Sequence, residues 1–237
     1  MTATTTEQIS LPGQAHVANG PHAQTGMYLM HHAFRRDLAR FEASVRATPI
    51  GAADTWAALA HRWTRYGEIL HHHHSVEDDA LWPVLTAHAE RLGDETAMRM
   101  LEDMEAEHAV IDPALTACTD GFAAMREHPC ADHRNALDVH VTAARAALLD
   151  HLAHEEGQAL PFLQRVVSVE ENERFEATAQ KAYPPRLMGF MVPWVADGVP
   201  GDVAQRVLAE AGRPFVILLK LTRRRYERAT RRAFAFA

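Results

Sequence analysis

Apolar residues recur along this chain at alternating spacings of four and three, the helical period, and no stretch shows the period of two expected of a strand. In a first segment the stripe reads Met27, His31, Phe34, Leu38, Phe41, Val45, and in a second Leu59, Trp63, Tyr66, Leu70, His73, Glu77. A third runs Leu101, Met104, His108, Ile111, Leu115, Cys118, Phe122, and a fourth Leu137, Val141, Ala144, Leu148, His151, Glu155. The pattern predicts an all-α protein with four long helices, and each stripe carries a histidine.

Breakers separate the four segments: Thr48-Pro49-Ile50-Gly51 before Asp54, Gly93 before Asp94, and Pro129 before a helix starting near Ala131. Asp54 and Asp94 are read as N-caps, because a side-chain carboxylate accepts hydrogen bonds from the open amides of a first turn. Pro83 and Pro113 are expected to kink or end the regular part of their helices. Connections this short force neighbours to run antiparallel, which gives an up-down-up-down four-helix bundle with additional C-terminal helices. Past Pro161, Ser168-Val169-Glu170-Glu171 reads as a capping box opening a short helix, and Pro184, Pro185, Pro193, Gly198, Pro200 and Gly201 repeatedly break the chain beyond it. A last helix pair has Asp202 as expected cap, Gly212 as stop and Pro214 at the start of the final helix. The organisation expected is a flexible N-terminal segment over 1–24, the bundle over 25–165, and a helical extension over 166–237 packed on it.

Composition narrows the classes of function. With 237 residues, 47% hydrophobic and 23% charged, the chain suits one domain with an appendage and excludes a disordered polymer. The first 25 residues lack the basic and apolar regions of a secretory signal, and no apolar run approaches the roughly 20 residues that span a bilayer. Cys118 and Cys130 are too few for a disulfide framework, so a reducing cytoplasm is the expected compartment. Histidine is in excess at 16 residues. Net charge is −7, yet the last 25 residues carry eight basic groups against Glu227 alone, leaving the remainder at −14. Phe215, Leu219, Thr222, Tyr226 and Ala229 continue the helical spacing there, so the arginines are expected on a solvated opposite face. No nucleic-acid motif accompanies them, and neither nucleic acid nor membrane is an expected partner.

The candidate chemistry lies where the stripes meet. Counted at 1.5 Å per residue along antiparallel neighbours, His31, His73, His108 and His151 share one level to within about a helical turn. Two stripes add a carboxylate in an internal repeat: His73-x-x-x-Glu77 leads to Leu81-Trp82-Pro83, and His151-x-x-x-Glu155 to Ala159-Leu160-Pro161. Residues at i and i+4 share a helix face. Four imidazoles and two buried carboxylates exceed a tetrahedral zinc; they suit two bridged ions, and the nitrogen and oxygen donors favour iron. His71, His72, His74 and His154 fall off this seam and are expected to be solvated or supporting, and the stripe selects His31 over His32. Tyr28 and Tyr66 are read as core tyrosines. Glu105-x-x-His108 and Glu68-x-x-His71 raise a ferritin-like alternative, which lacks a matching glutamate on the first helix, where Glu42 lies eleven residues from His31.

In HHAFRRDL, HHHHSVEDDALWP, EAEHAVI and HLAHEEGQALP the chain resembles the hemerythrin-like, or HHE cation-binding, family over roughly residues 25 to 163. The resemblance implies two non-haem iron ions with an oxo or hydroxo bridge. Glu77 and Glu155 would bridge them, with His31, His73, His108 and His151 as terminal ligands. Oxygen-carrying hemerythrins place two histidines four apart on the third helix, whereas here the partner of His108 is Met104. That departure leaves one iron open and favours reaction with peroxide, oxygen or nitric oxide, in the manner of a di-iron peroxidase or catalase with a role in oxidative or nitrosative stress. A module that carries or senses oxygen, nitric oxide or iron without turnover is the alternative. The expected partner is thus a small molecule, and a homodimer is compatible with it.

Overall fold

The computed structural model describes residues 5–237, and all its regular elements are helical. The bundle is built from α1 (Thr25–Ala47), α2 (Ala53–Val76) continued by α3 (Trp82–Leu92), α4 (Glu95–Glu127), and α5 (Ala131–His154) continued by α6 (Leu160–Val166). In cross-section α1 neighbours α2 and α5, while α4 neighbours α2 and α5, which closes a ring of four. Phe34, Leu38, Phe41, Trp63, Tyr66, Leu70, Phe122, Val141 and Leu148 from the predicted stripes are all at most 1% exposed. The tyrosines at 28 and 66 are core residues as expected.

Two of the four rods are not α-helical throughout. Five residues of π-helix, π1 (Glu77–Leu81), join α2 to α3, and another five, π2 (Glu155–Ala159), join α5 to α6. The Trp82 amide donates to the Glu77 carbonyl and the Leu160 amide to the Glu155 carbonyl, five residues back in each case. Pro83 and Pro161 come directly afterwards and explain the slip. Each lacks an N–H, and its ring collides with the carbonyl four residues earlier, so the chain widens by one residue instead of breaking. Pro113 behaves differently from expectation, since α4 runs through it without interruption. It lies on the solvent face with exposed Ala109 four residues before it, where water can satisfy the freed carbonyl.

The caps divide similarly. Asp94 accepts from the Ala97 amide at 3.0 Å, and Ser168 and Glu171 form a reciprocal capping box opening α7 (Val169–Ala182). Asp54 is not a cap: α2 begins after Ala52, and Asp54 lies within the first turn, where its charge meets the positive end of the helix. Asp202 likewise lies inside the first turn of the last helix, which Pro200 precedes.

The extension consists of α7, α8 (Pro185–Ala196) and α9 (Gly201–Ala233). Gly212 interrupts α9 with φ 79°, ψ 173°, a backbone conformation open to glycine, and Pro214 restarts the helix. Leu187, Trp194 and Tyr226 join the bundle core, with α8 against α1 and α9 along α2. A buried ion pair fixes this contact: Arg62 donates to Asp37 at 2.8 Å and to the Tyr226 hydroxyl at 2.8 Å. Tyr226 in turn donates to Asp197, which Arg40 also holds. No helix among the described residues is long and apolar enough to cross a membrane.

The flexible segment expected over 1–24 needs correction where it is described; residues 1–4 lie outside the described residues. Ile9, Leu11 and Ala18 are buried, and Thr6 pairs with Gly20 in a single antiparallel bridge. The Ala15 amide donates to Glu156 and the Ala18 amide to the Tyr28 hydroxyl, so the segment lies across one end of the bundle. Short apolar anchors and amide donors hold it without any helical period to announce it.

Candidate metal centre

The six residues singled out from the stripes come together. His31, His73, Glu77 and Glu155 form one group, and Glu77 with His108 and His151 belongs to a second; within each group one donor atom per residue lies within 4.8 Å of the others. All six are at most 5% exposed. His31 Nε2 lies 3.1 Å from Glu155, and His73 Nε2 lies 3.1 Å from Glu77. Glu77 is the residue common to both groups.

The fourth member of the second group is His74. Its assignment off the seam is therefore corrected: it is 3% exposed and its ring stacks on His108, with centroids 4.0 Å apart and planes 13° from parallel. A strict seam passes through one residue per turn, but the buried face of a core helix is 100° wide or more and takes in two adjacent residues. His74 also bears on the open position expected from Met104, because it adds a third imidazole to the group that contains His108. Met104, four residues before His108, is fully buried.

Three carboxylates outside the groups orient the rings. The Nδ1–H of His31 donates to Glu156 at 2.8 Å, that of His108 to Asp78 at 2.8 Å, and that of His151 to Glu107 at 2.8 Å. Glu107 also accepts from His154, and Glu156 from both terminal nitrogens of Arg35. Holding Nδ1–H fixes the tautomer and turns the lone pair of Nε2 inward. Sequence reasoning missed these partners. The signal for two of them was a second acidic residue directly after each repeat glutamate, Glu77-Asp78 and Glu155-Glu156.

The inner atoms approach one another without forming well-directed hydrogen bonds. Among buried side-chain atoms lacking a hydrogen bond are His31 Nε2, His73 Nε2, both His74 nitrogens, and all four oxygens of Glu77 and Glu155. Buried polar atoms are rarely orphaned, and so many in one place fit cation donors. His108 and His151 supply a sharper sign: both hold Nδ1–H to a carboxylate, yet their Nε2 atoms face each other at 3.2 Å. Two lone pairs that close repel unless a proton or a metal cation is shared between them, and a metal cation fits the surrounding donors. Burial pushes the His73 imidazole down to about 3 and also lowers His74 and His108, keeping them in the neutral form that binds metal. Burial and the charge of Glu155 push the Glu77 carboxyl well above the usual range. Burial opposes ionisation of Glu155 as well, but His31, His151 and His73 outweigh it and hold that carboxyl down to about 2.

The remaining candidates lie elsewhere. His32 is buried but faces the Pro12 carbonyl, and His71 and His72 stay at the outer surface of α2. Glu105 is exposed, so the ferritin-like pairing with His108 has no inward carboxylate, and Glu68 pairs with Arg186 and Arg65. Comparison with curated proteins and with solved structures yields no match. A family model, hemerythrin HHE cation binding domain, matches residues 22–163, more than half of the chain. That span contains both groups of donors and every carboxylate that orients them, and the chain belongs to the hemerythrin HHE cation-binding family.

Proposed function

We propose that the chain holds two non-haem iron ions and uses them to bind and react with a small oxidant: oxygen, peroxide or nitric oxide. His74, His108 and His151 hold one ion, His31 and His73 the other, with Glu77 shared between them and Glu155 on the two-histidine side. The observation that carries this reading is the asymmetry of the donor sets, three imidazoles with one carboxylate against two imidazoles with two carboxylates. Nitrogen and oxygen donors of this kind suit iron, which supplies reversible electron transfer and an exchangeable coordination position when bound.

The protein's own groups define what can reach that position. The two-histidine side is lined by His31 and Glu155, both fully buried, with the Phe34 ring 5.2 Å from His73. Burial this complete favours a ligand of a few atoms. Glu156 anchors His31 on its outer edge, and Arg35 neutralises the Glu156 charge. The His31 ring is thereby held in place, and its basicity as a ligand is raised.

The test is metal analysis and an optical spectrum of protein purified without chelators, followed by azide and peroxide additions. About two irons per chain with an azide-dependent band that Met104→His leaves unchanged supports the reading, because His74 already takes the place that Met104 would open. Loss of azide binding in Met104→His would return the open position to the His108 side. With the wild type, sustained peroxide decay indicates turnover, and a stoichiometric, reversible spectral change indicates carriage or sensing.

A further inference from the structure

The arginine-rich C-terminal helix has a role that the metal centre leaves unexplained. Where α9 crosses α2 and α8 a cavity of about 350 Å³ opens, and no carboxylate lines it. Arg65 comes to it from α2, Arg186 from α8, and Arg225 and Arg232 from α9, with His61 at the edge and Phe190 as an apolar wall. Arg62 forms its floor, but that charge is matched: its guanidinium is bound to Asp37 and Tyr226 and lies over the Phe190 ring.

The four rim guanidinium groups are poorly matched. Arg186 and Arg65 share a single carboxylate, Glu68, with Arg65 as far as 3.9 Å from it. Arg225 and Arg232 form no ion pair among the described residues. Four cations against one anion leave about three positive charges around one concave space, which packing of three helices brings together. Arg224, Arg228 and Arg231 differ in that they line no part of the cavity. An ordinary solvated helix face accounts for those three, and it does not account for guanidinium groups converging from three helices.

The geometry points to a binding site for a small ligand bearing a diphosphate group. Guanidinium forks match phosphate oxygens in pairs, a diphosphate carries close to three negative charges, and the cavity has the volume of a small-molecule pocket. The group can arrive as free pyrophosphate or on a nucleoside diphosphate. Concavity separates this site from a polynucleotide interface, which would use the convex arginines as well.

Calorimetric titration of the full-length, iron-loaded protein with inorganic pyrophosphate, ADP and a short DNA duplex at fixed ionic strength tests this. Pyrophosphate and ADP should each bind one per chain. Arg225→Ala with Arg232→Ala should weaken both by at least about tenfold, the loss expected for charge-assisted bonds. Arg224→Ala with Arg228→Ala removes equal charge on the solvent face and should change binding less than about twofold. All four positions are exposed, and a thermal melt of each variant verifies that it folds. Tighter binding of ADP assigns the ligand to nucleotides, and equal binding assigns it to the diphosphate group alone. No binding of either, equal losses in both double variants, or tighter binding of the duplex that displaces pyrophosphate would each overturn the proposal.

Discussion

The two repeats, α2–π1–α3 and α5–π2–α6, are built alike and end up with different chemistry. Each places a histidine four residues before a glutamate, starts a π-helical turn at that glutamate, and ends it in a tryptophan or leucine and then a proline. The acidic residue after each glutamate then steadies an imidazole from another rod: Asp78 holds His108 of α4, and Glu156 holds His31 of α1. The difference lies three residues before the glutamate, where the first repeat has His74 and the second has Leu152, both buried. That one position turns a symmetric scaffold into a three-imidazole side and a two-imidazole side. The asymmetry of the two donor groups comes from a side chain on a common backbone, with no change of fold.

The strongest way to break the comparison is at the shared residue. Glu77→Ala should remove iron from both sides, leaving well under half the wild-type content by metal analysis, whereas Glu155→Ala should retain about one ion per chain on the three-imidazole side. Equal iron in the two variants would show that the repeats are equivalent. Next in size is the position that distinguishes them. His74→Leu, which makes the first repeat resemble the second, should weaken one ion by about 10- to 100-fold in a chelator competition and leave the other unchanged. Leu152→His should not compensate, because position 152 belongs to the other repeat.

The outer carboxylates give a smaller effect and a ranking. Glu156→Gln leaves Arg35 short of its partner in a buried place and should lower stability by about 1–3 kcal/mol in urea unfolding of the metal-free protein. Asp78→Asn, at a side chain 41% exposed, should cost about 1 kcal/mol or less. The last prediction concerns pH. Burial opposes ionisation of Glu156, but His31 and Arg35 outweigh it and hold its carboxyl below the usual value. Its contribution is therefore complete above the ordinary carboxylate range and fades as pH falls through the lowered value. Unfolding of the metal-free protein measured from pH 6 downward should show wild type approaching Glu156→Gln at the acid end; a constant gap would contradict the assignment.

Much of the fold and the site is legible in the chain, and the failures share a cause. The stripes locate four rods and six inward donors, because burial of one face imposes a period that sequence displays directly. His74 escapes because periodicity marks a line, while a helix enclosed by neighbours buries a sector. Asp78, Glu107 and Glu156 escape because their role depends on which other rod lies opposite, a relation between distant segments. The segment 5–24 carries isolated anchors with no period at all. Pro83 marks a disruption at the right position, but its effect is a widened turn that continues the rod.

That widened turn makes the length of the chain at the site as consequential as its residue types. A π turn holds one residue more than the α-helix it replaces, so loss of a single residue such as Asp79 or Gly157 would restore the ordinary hydrogen-bond ladder. The residues beyond would keep their faces, because the widened turn absorbs the extra residue: buried Leu85 and Leu163 each lie eight residues past their glutamate, about two helical turns plus the one residue the turn takes up, so the change would fall on the turn that carries each glutamate. Single-residue deletions and insertions are thus the natural unit of divergence at these two turns. A relative that keeps all six stripe donors but differs by one residue between glutamate and proline should be read as having a different site.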